Sequence, residues 1–170
     1  MKAILLIDHG SKRAEANHML ACMANLVQHL VGGEAVVEFA HMELAEPDIP
    51  MGFARAIERG ATEVIAFPYM LSPGKHSTAD IPRMVAEAAA KHAGVTYRMT
   101  PAFGVHEKLG ELILERAGMQ PQRSVAGPAA VRCWEPDGCV GSCGDACRAK
   151  EPAAANAALP TARMGDFVAS

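Results

Sequence analysis

Along the first 118 residues, short apolar runs alternate with longer stretches in which apolar residues return every three or four positions. Lys2–Asp8 is apolar from Ala3 to Ile7 and predicts a buried strand. Ala14–Val31 follows with Met19, Cys22, Met23, Leu26, Val27 and Leu30 at helical spacing, predicting a helix that buries this stripe and stops at Gly32-Gly33. Ala35–Leu44 predicts a second strand of mixed character. Asp48-Ile49-Pro50 then reads as an N-cap with proline close behind, opening a helix that buries Phe53 and Ile57 and ends at Gly60. Glu63–Tyr69 predicts a third strand with a continuously apolar centre. Ser77 to Asp80 start a third helix carrying Ile81, Met84, Val85 and Ala88 on one face, with Gly94 beyond its end. Val95–Met99 predicts a short, half-polar fourth strand, and His106–Ala117 a fourth helix with Leu109, Leu112, Ile113 and Ala117 at helical spacing.

This βαβαβαβα order predicts the α/β class, a four-stranded parallel sheet with helices on both faces. Strands one and three are uniformly apolar, as strands buried on both faces are. Strands two and four carry Glu38, Glu43, Thr96 and Arg98, as edges do. Right-handed crossovers then favour the strand order 2-1-3-4. The sheet domain is expected to span residues 2–118. Gln120-Pro121-Gln122-Arg123 reads as a linker into an appendage, 119–170, with a cysteine-rich segment at 133–147 and an alanine-rich end, Glu151–Ser170, expected to be mobile.

Composition narrows the function classes. The chain has 170 residues, 50% of them hydrophobic, and a formal net charge of −3. No run of about 18 apolar residues exists, so no membrane span is expected. Mild acidity and the lack of a basic stripe interleaved with aromatics argue against nucleic acid. Residues 1–7 are too short for a secretory h-region, which makes the cytoplasm the expected location.

Candidate chemistry gathers at two strand ends. Asp8-His9-Gly10-Ser11 follows the first strand, and Ser72-Pro73-Gly74-Lys75-His76 follows the third. Ligands of open parallel sheets bind outside the carboxyl ends of the strands, so both imidazoles are expected on the functional edge, side by side. Imidazole is a first-row metal ligand and a proton carrier near neutral pH. Glu43 closes the second strand on the same edge, where a carboxylate beside two imidazoles can ligate metal or take a proton. Ser77, Thr78 or Asp80 can cap the third helix, and the two hydroxyls can instead meet a substrate. Lys12, Arg13, Lys75 and Arg83 flank the two motifs and suit a polyanion. His41 is expected to be a satisfied edge-strand histidine, and His106 a capping or supporting one. His18, His29 and His92 are expected to be structural.

Ile7-Asp8-His9-Gly10-Ser11, Met42-Glu43-Leu44-Ala45-Glu46-Pro47-Asp48-Ile49, Pro68-Tyr69-Met70-Leu71, Gly74-Lys75-His76, Asp80-Ile81-Pro82 and Phe103-Gly104-Val105-His106 together resemble the small class II chelatases, over about residues 2–117. These are the sirohydrochlorin cobalto- and ferrochelatases of cobalamin and sirohaem synthesis. The resemblance implies ATP-independent insertion of cobalt, iron or nickel into sirohydrochlorin. It makes His9 and His76 the paired metal-binding and catalytic histidines and Glu43 their acidic partner. Ser11, Lys12, Lys75, Ser77 and Thr78 would be substrate contacts. Asp8 and His41 depart from the family pattern, standing where small or apolar residues are commoner. Only one chelatase repeat is present, which in this family implies a homodimer with a shared cleft.

Cys133, Cys139, Cys143 and Cys147 crowd into fifteen residues among three glycines. Four thiolates suit zinc, [2Fe–2S] or [4Fe–4S], and their spacing does not choose among them. Some chelatases of the resembled family, including chloroplast ones, carry an iron–sulfur cluster on C-terminal cysteines, and this favours a cluster here over zinc or a simple thiol tail. Two rivals to the chelatase reading remain, one an enzyme and one not. A histidine phosphatase would need arginine where Asp8 stands, and that negative charge repels phosphate. A divalent-metal chaperone would use His9, His76 and the tail thiols, and would bind metal without binding a tetrapyrrole.

Overall fold

The computed structural model describes residues 1–122. The four strands are β1 (Lys2–Asp8), β2 (Ala35–His41), β3 (Glu63–Pro68) and β4 (Thr96–Met99), and the four α-helices are α1 (Ala14–Val31), α2 (Ile49–Glu58), α3 (Ile81–Ala89) and α4 (Glu107–Arg116). The strands form one sheet in the order β2-β1-β3-β4 with every neighbouring pair parallel, as the alternation of elements predicts. A π-helical turn, His76–Asp80, precedes α3 where the sequence predicts the start of the helix itself. Among the described residues no helix is long and apolar enough to cross a membrane. The expectations for Cys133, Cys139, Cys143, Cys147 and the alanine-rich end lie outside the described residues.

Two apolar clusters hold the layers. On one face of the sheet, Leu5, Ile7, Phe53, Val64, Ile81 and Val85 are completely buried where β1 and β3 meet α2 and α3. Truncating a buried phenylalanine such as Phe53 to alanine typically costs about 3–5 kcal/mol. Helix α2 sits unusually close because Gly52 faces β2: a Cβ there would lie 2.8 Å from the Phe39 carbonyl oxygen and 2.9 Å from Ala40 Cβ. Asp48 caps α2 as the sequence predicts, its carboxylate accepting the Met51 N–H at 2.8 Å. On the other face, Leu20 and Ala24 of α1 pack on Leu6 and Val37.

The buried stripe of α1 differs from the expected one. Leu20 and Ala24 are buried with Met23, Val27 and Val31 beside them, whereas Met19, Cys22, Leu26 and Leu30 are exposed. The helix is apolar around more than half its girth, and a single sheet face covers only one stripe of about 100°. Helix α4 corrects the sequence reading further, because none of its residues is buried and Leu112 and Ile113 stand exposed. The last strand, β4, has four residues, all half-buried, and its Arg98 is ion-paired with Glu63 at 3.5 Å.

The outer edge of β2 is blocked by side chains. Gln28 accepts the Val37 N–H and donates to the Ala35 carbonyl, while Arg59 donates to the Val37 carbonyl and to Glu38. An exposed edge strand is thereby withheld from pairing with another chain.

Candidate active site

The register of the sheet decides which side chains meet. Asp8 is the Cα partner of His41, and the parallel pairing continues past the strand ends, with Met42 N–H donating to the Asp8 carbonyl and Glu43 N–H donating to the His9 carbonyl at 3.1 Å. His9 and Glu43 are therefore brought side by side by main-chain bonds. Their side chains complete the contact, His9 Nε2 lying 2.7 Å from Glu43 Oε1 with both groups about half exposed. After Glu43 the chain turns sharply at Leu44, the one non-glycine residue with positive φ among the described residues, at 67°. It returns so that the Pro47 carbonyl accepts the His41 N–H. A leucine held there carries backbone strain of about 1–3 kcal/mol, a feature that clusters at functional sites.

His76 comes from the neighbouring strand β3 by way of the 69–75 loop. Its ring centroid stands 5.2 Å from that of His9, edge to face. The π-helical turn places Asp80 one turn further on, and Asp80 Oδ2 lies 2.9 Å from His76 Nδ1. In the neutral ring a proton on Nδ1 is donated to the carboxylate, which leaves the Nε2 lone pair for a metal or a proton. The sequence predicts Asp80 as a helix cap, but no side-chain cap is made by it. Its spacing of four residues from His76 on a helical turn was the available signal.

The expected substrate contacts fall into two groups. Ser77 is buried, and its hydroxyl both accepts the Gly74 N–H and donates to the Gly74 carbonyl, while Thr78 donates to the same carbonyl. Both hydroxyls thus close the loop that carries His76. Ser11 accepts the Arg13 N–H and is clamped through its main chain by Asn17, a residue the sequence reading did not single out. Lys12 and Lys75 are exposed and make no ion pair among the described residues. Arg83 is paired with Glu87 along its own helix at 2.7 Å. His106 caps α4 by accepting the Lys108 N–H, one of the two roles expected of it. His92 stacks on the buried Phe53.

His41 departs from expectation. It is 1% exposed, its Nδ1 lies 2.6 Å from Asp8 Oδ1, and its buried Nε2 has no hydrogen-bond partner among the described residues. An orphaned buried polar atom of this kind costs about 1–3 kcal/mol. Asp8 Oδ1 also accepts the Gly10 N–H at 2.9 Å. Gly10 itself has φ of +83°, and a Cβ on it would fall 1.9 Å from the Glu43 carbonyl oxygen. Only glycine allows the His9 turn to approach the Glu43 strand end this closely.

Chemically, the arrangement offers two imidazoles and one carboxylate on an open edge. His9 meets both Glu43 and His76, and among the described residues no three His, Cys, Asp or Glu side chains are already closed around a common point. An aromatic group lies on adjacent segments, with Phe103 edge-on to Phe67 at 5.0 Å and to Tyr69 at 4.9 Å. Two main-chain bonds, Phe103 N–H to Met70 and Gly104 N–H to Leu71, tie the loop before α4 to the loop after β3.

Comparison with known proteins bears on what such an edge does. The CbiX family model matches residues 3–119. The chloroplastic sirohydrochlorin ferrochelatase of Arabidopsis thaliana is 39% identical over 113 residues, covering 66% of this chain and 50% of its own. The crystal structure of the sirohydrochlorin chelatase SirB from Bacillus subtilis subspecies spizizenii in complex with cobalt superposes with a TM-score of 0.63 at 28% identity, over 69% of this chain and 50% of that one. A CbiX cobalamin-biosynthesis protein from Marinobacter aquaeolei gives a TM-score of 0.58 at 30% identity over 69% of this chain and 95% of its own. The chain thus spans about half the length of the Arabidopsis relative and of the cobalt-bound chain, and nearly all of the Marinobacter one.

Proposed function

Because the chain belongs to the CbiX family, whose model matches residues 3–119, we propose that it inserts a divalent metal ion into sirohydrochlorin without ATP. The observation that carries the reading is the meeting of His9, Glu43 and His76 at the carboxyl ends of β1, β2 and β3. Relatives named as a sirohydrochlorin ferrochelatase and a sirohydrochlorin cobaltochelatase match this chain over 113 and 116 residues. The metal is substrate, so the site must hold it loosely enough to release it. An exposed pair of imidazoles with one carboxylate, not closed into a cage, suits that task.

Insertion requires the ion to shed water, two pyrrole N–H protons to leave, and the macrocycle to be held near the ion. His76, oriented by Asp80, offers a lone pair to the incoming metal. His9 and Glu43 share a hydrogen bond that the metal must open, and the freed carboxylate or imidazole is then the base for a pyrrole proton. Exposed Lys12 and Lys75, with Ser11 nearby, are the groups we assign to the carboxylates of the tetrapyrrole. Ser77 and Thr78 act indirectly, by fixing the His76 loop.

We assign a homodimer to the working protein. One copy offers one side of a cleft, and exposed apolar residues gather on α1 (Met19, Leu26, Leu30) and α4 (Leu112, Ile113). The four tail cysteines, outside the described residues, are assigned to an iron–sulfur cluster that insertion itself does not need. A cytoplasmic location accords with thiols kept reduced.

An anaerobic assay tests the central reading: purified protein, sirohydrochlorin and Co²⁺, Fe²⁺ or Ni²⁺ in turn, followed by absorbance. Acceleration over the uncatalysed rate supports it. Metal binding with neither tetrapyrrole binding nor acceleration supports the chaperone reading instead.

A further inference from the structure

Asp8 and His41 are each other's partners. They sit opposite one another in the β1–β2 register, and a bond of 2.6 Å joins His41 Nδ1 to Asp8 Oδ1. The same oxygen accepts the N–H of Gly10, the residue directly after His9. Two residues beyond His41 stands Glu43, whose carbonyl oxygen and main-chain N–H both face the Gly10–His9 turn. One carboxylate oxygen therefore ties the turn that carries the imidazole to the strand end that carries the acid.

We infer that Asp8 and His41 are positioning residues, which set the His9 turn against Glu43 so that Nε2 and Oε1 are presented together to the metal. The inference rests on the metal-insertion reading of that site. The contact geometry argues for more than packing. A leucine or phenylalanine at position 41 would fill buried space without an unpaired ring nitrogen, and a native protein seldom retains an orphan such as His41 Nε2 for stability alone. What the imidazole does supply is one directed N–H, given to an oxygen that is also the anchor of the His9 turn. Groups that orient metal ligands typically change affinity or activity by 10–100-fold when removed.

The test uses the full chain and Co²⁺ alone as probe, followed through the visible absorption of the bound ion, with insertion kinetics and thermal unfolding measured in parallel. His41→Leu keeps the buried volume and removes the N–H. His41→Asn places an amide N–H near the position of Nδ1. Asp8→Ala removes the acceptor from the other side, so the bond is still interrogated if one variant does not fold. His41→Leu and Asp8→Ala are expected to weaken Co²⁺ binding by about tenfold or more and to raise KM for metal by a similar factor, with kcat changed less. His41→Asn is expected to stay within about threefold of wild type, and the order of affinities is expected not to follow the order of unfolding temperatures. Wild-type affinity in His41→Leu, equal impairment of His41→Asn and His41→Leu, or affinity that simply tracks unfolding temperature overturns the assignment. So does a wild-type protein that binds no Co²⁺. A protein that binds Co²⁺ with this pattern but inserts no metal upholds the positioning role and removes the insertion reading.

Discussion

His9 and Glu43 share a hydrogen bond of 2.7 Å between Nε2 and Oε1, the two atoms we assign to the metal. The other ring nitrogen of His9, Nδ1, lies 3.2 Å from the Gly10 carbonyl oxygen. Each nitrogen thus faces an oxygen, and a metal on Nε2 would have to displace the Glu43 contact.

Metal binding should therefore compete with protons. Co²⁺ affinity, followed through the absorption of the bound ion, is expected to fall as the pH is lowered, since ligand nitrogens bind metal only when deprotonated. Insertion should slow on acidification for the same reason. Co²⁺ affinity independent of pH would remove this account.

Loss of either histidine should be costly. His9→Ala and His76→Ala are each expected to lower the insertion rate at least tenfold, because a positioned acid–base group is typically worth about 10²–10⁴-fold. Asp80→Ala leaves His76 in place without its orienting carboxylate, and a loss of about tenfold is expected. Single variants with wild-type rates would show that the reaction is housed elsewhere.

Gly10 is the least replaceable residue of the loop. In Gly10→Ala the new Cβ would meet the Glu43 carbonyl oxygen at 1.9 Å, at a φ of +83°. Positive φ alone costs a non-glycine residue about 1–3 kcal/mol, and the clash adds to it. An unfolding midpoint lowered by about 5 °C or more is expected. Gly33→Ala, with nothing within 4 Å of the added carbon, is the control and should change little.

The exposed stripe of α4 should be an interface. Sedimentation at micromolar concentration is expected to show a dimer, and Ile113→Lys, which places a charge on a side chain now 68% exposed, should shift it toward monomer and lower activity. A fully active wild-type monomer would refute the shared cleft.

Anaerobically purified protein is expected to be brown, with acid-labile sulfide lost in Cys139→Ser and Cys143→Ser. Insertion activity should survive both substitutions, because the proposed reacting groups all lie within residues 9–80. Colourless protein with stoichiometric zinc, or loss of insertion in both variants, would count against the assignment.

The alternation of strands and helices, their parallel order and the two histidine-bearing turns were legible in the chain itself. Those features follow from local periodicity and from the handedness of crossovers, which act on neighbouring residues and leave a trace in every segment. Asp8 and His41 show where such reading stops. Each looked like an isolated departure, and only the one-residue register of β1 against β2 makes them partners, because a shift by one position would send His41 to the opposite face of the sheet. The same holds for α1 and α4. Their apolar stripes were visible as periodicity, yet which stripe is buried depends on how much apolar sheet surface is free to receive it. The first strand pair supplied that surface to Leu20 and Ala24, whereas Leu112 and Ile113 are left exposed among the described residues. Pairing and burial of this kind are set by distant segments competing for the same surface, and no local pattern of residues encodes the winner.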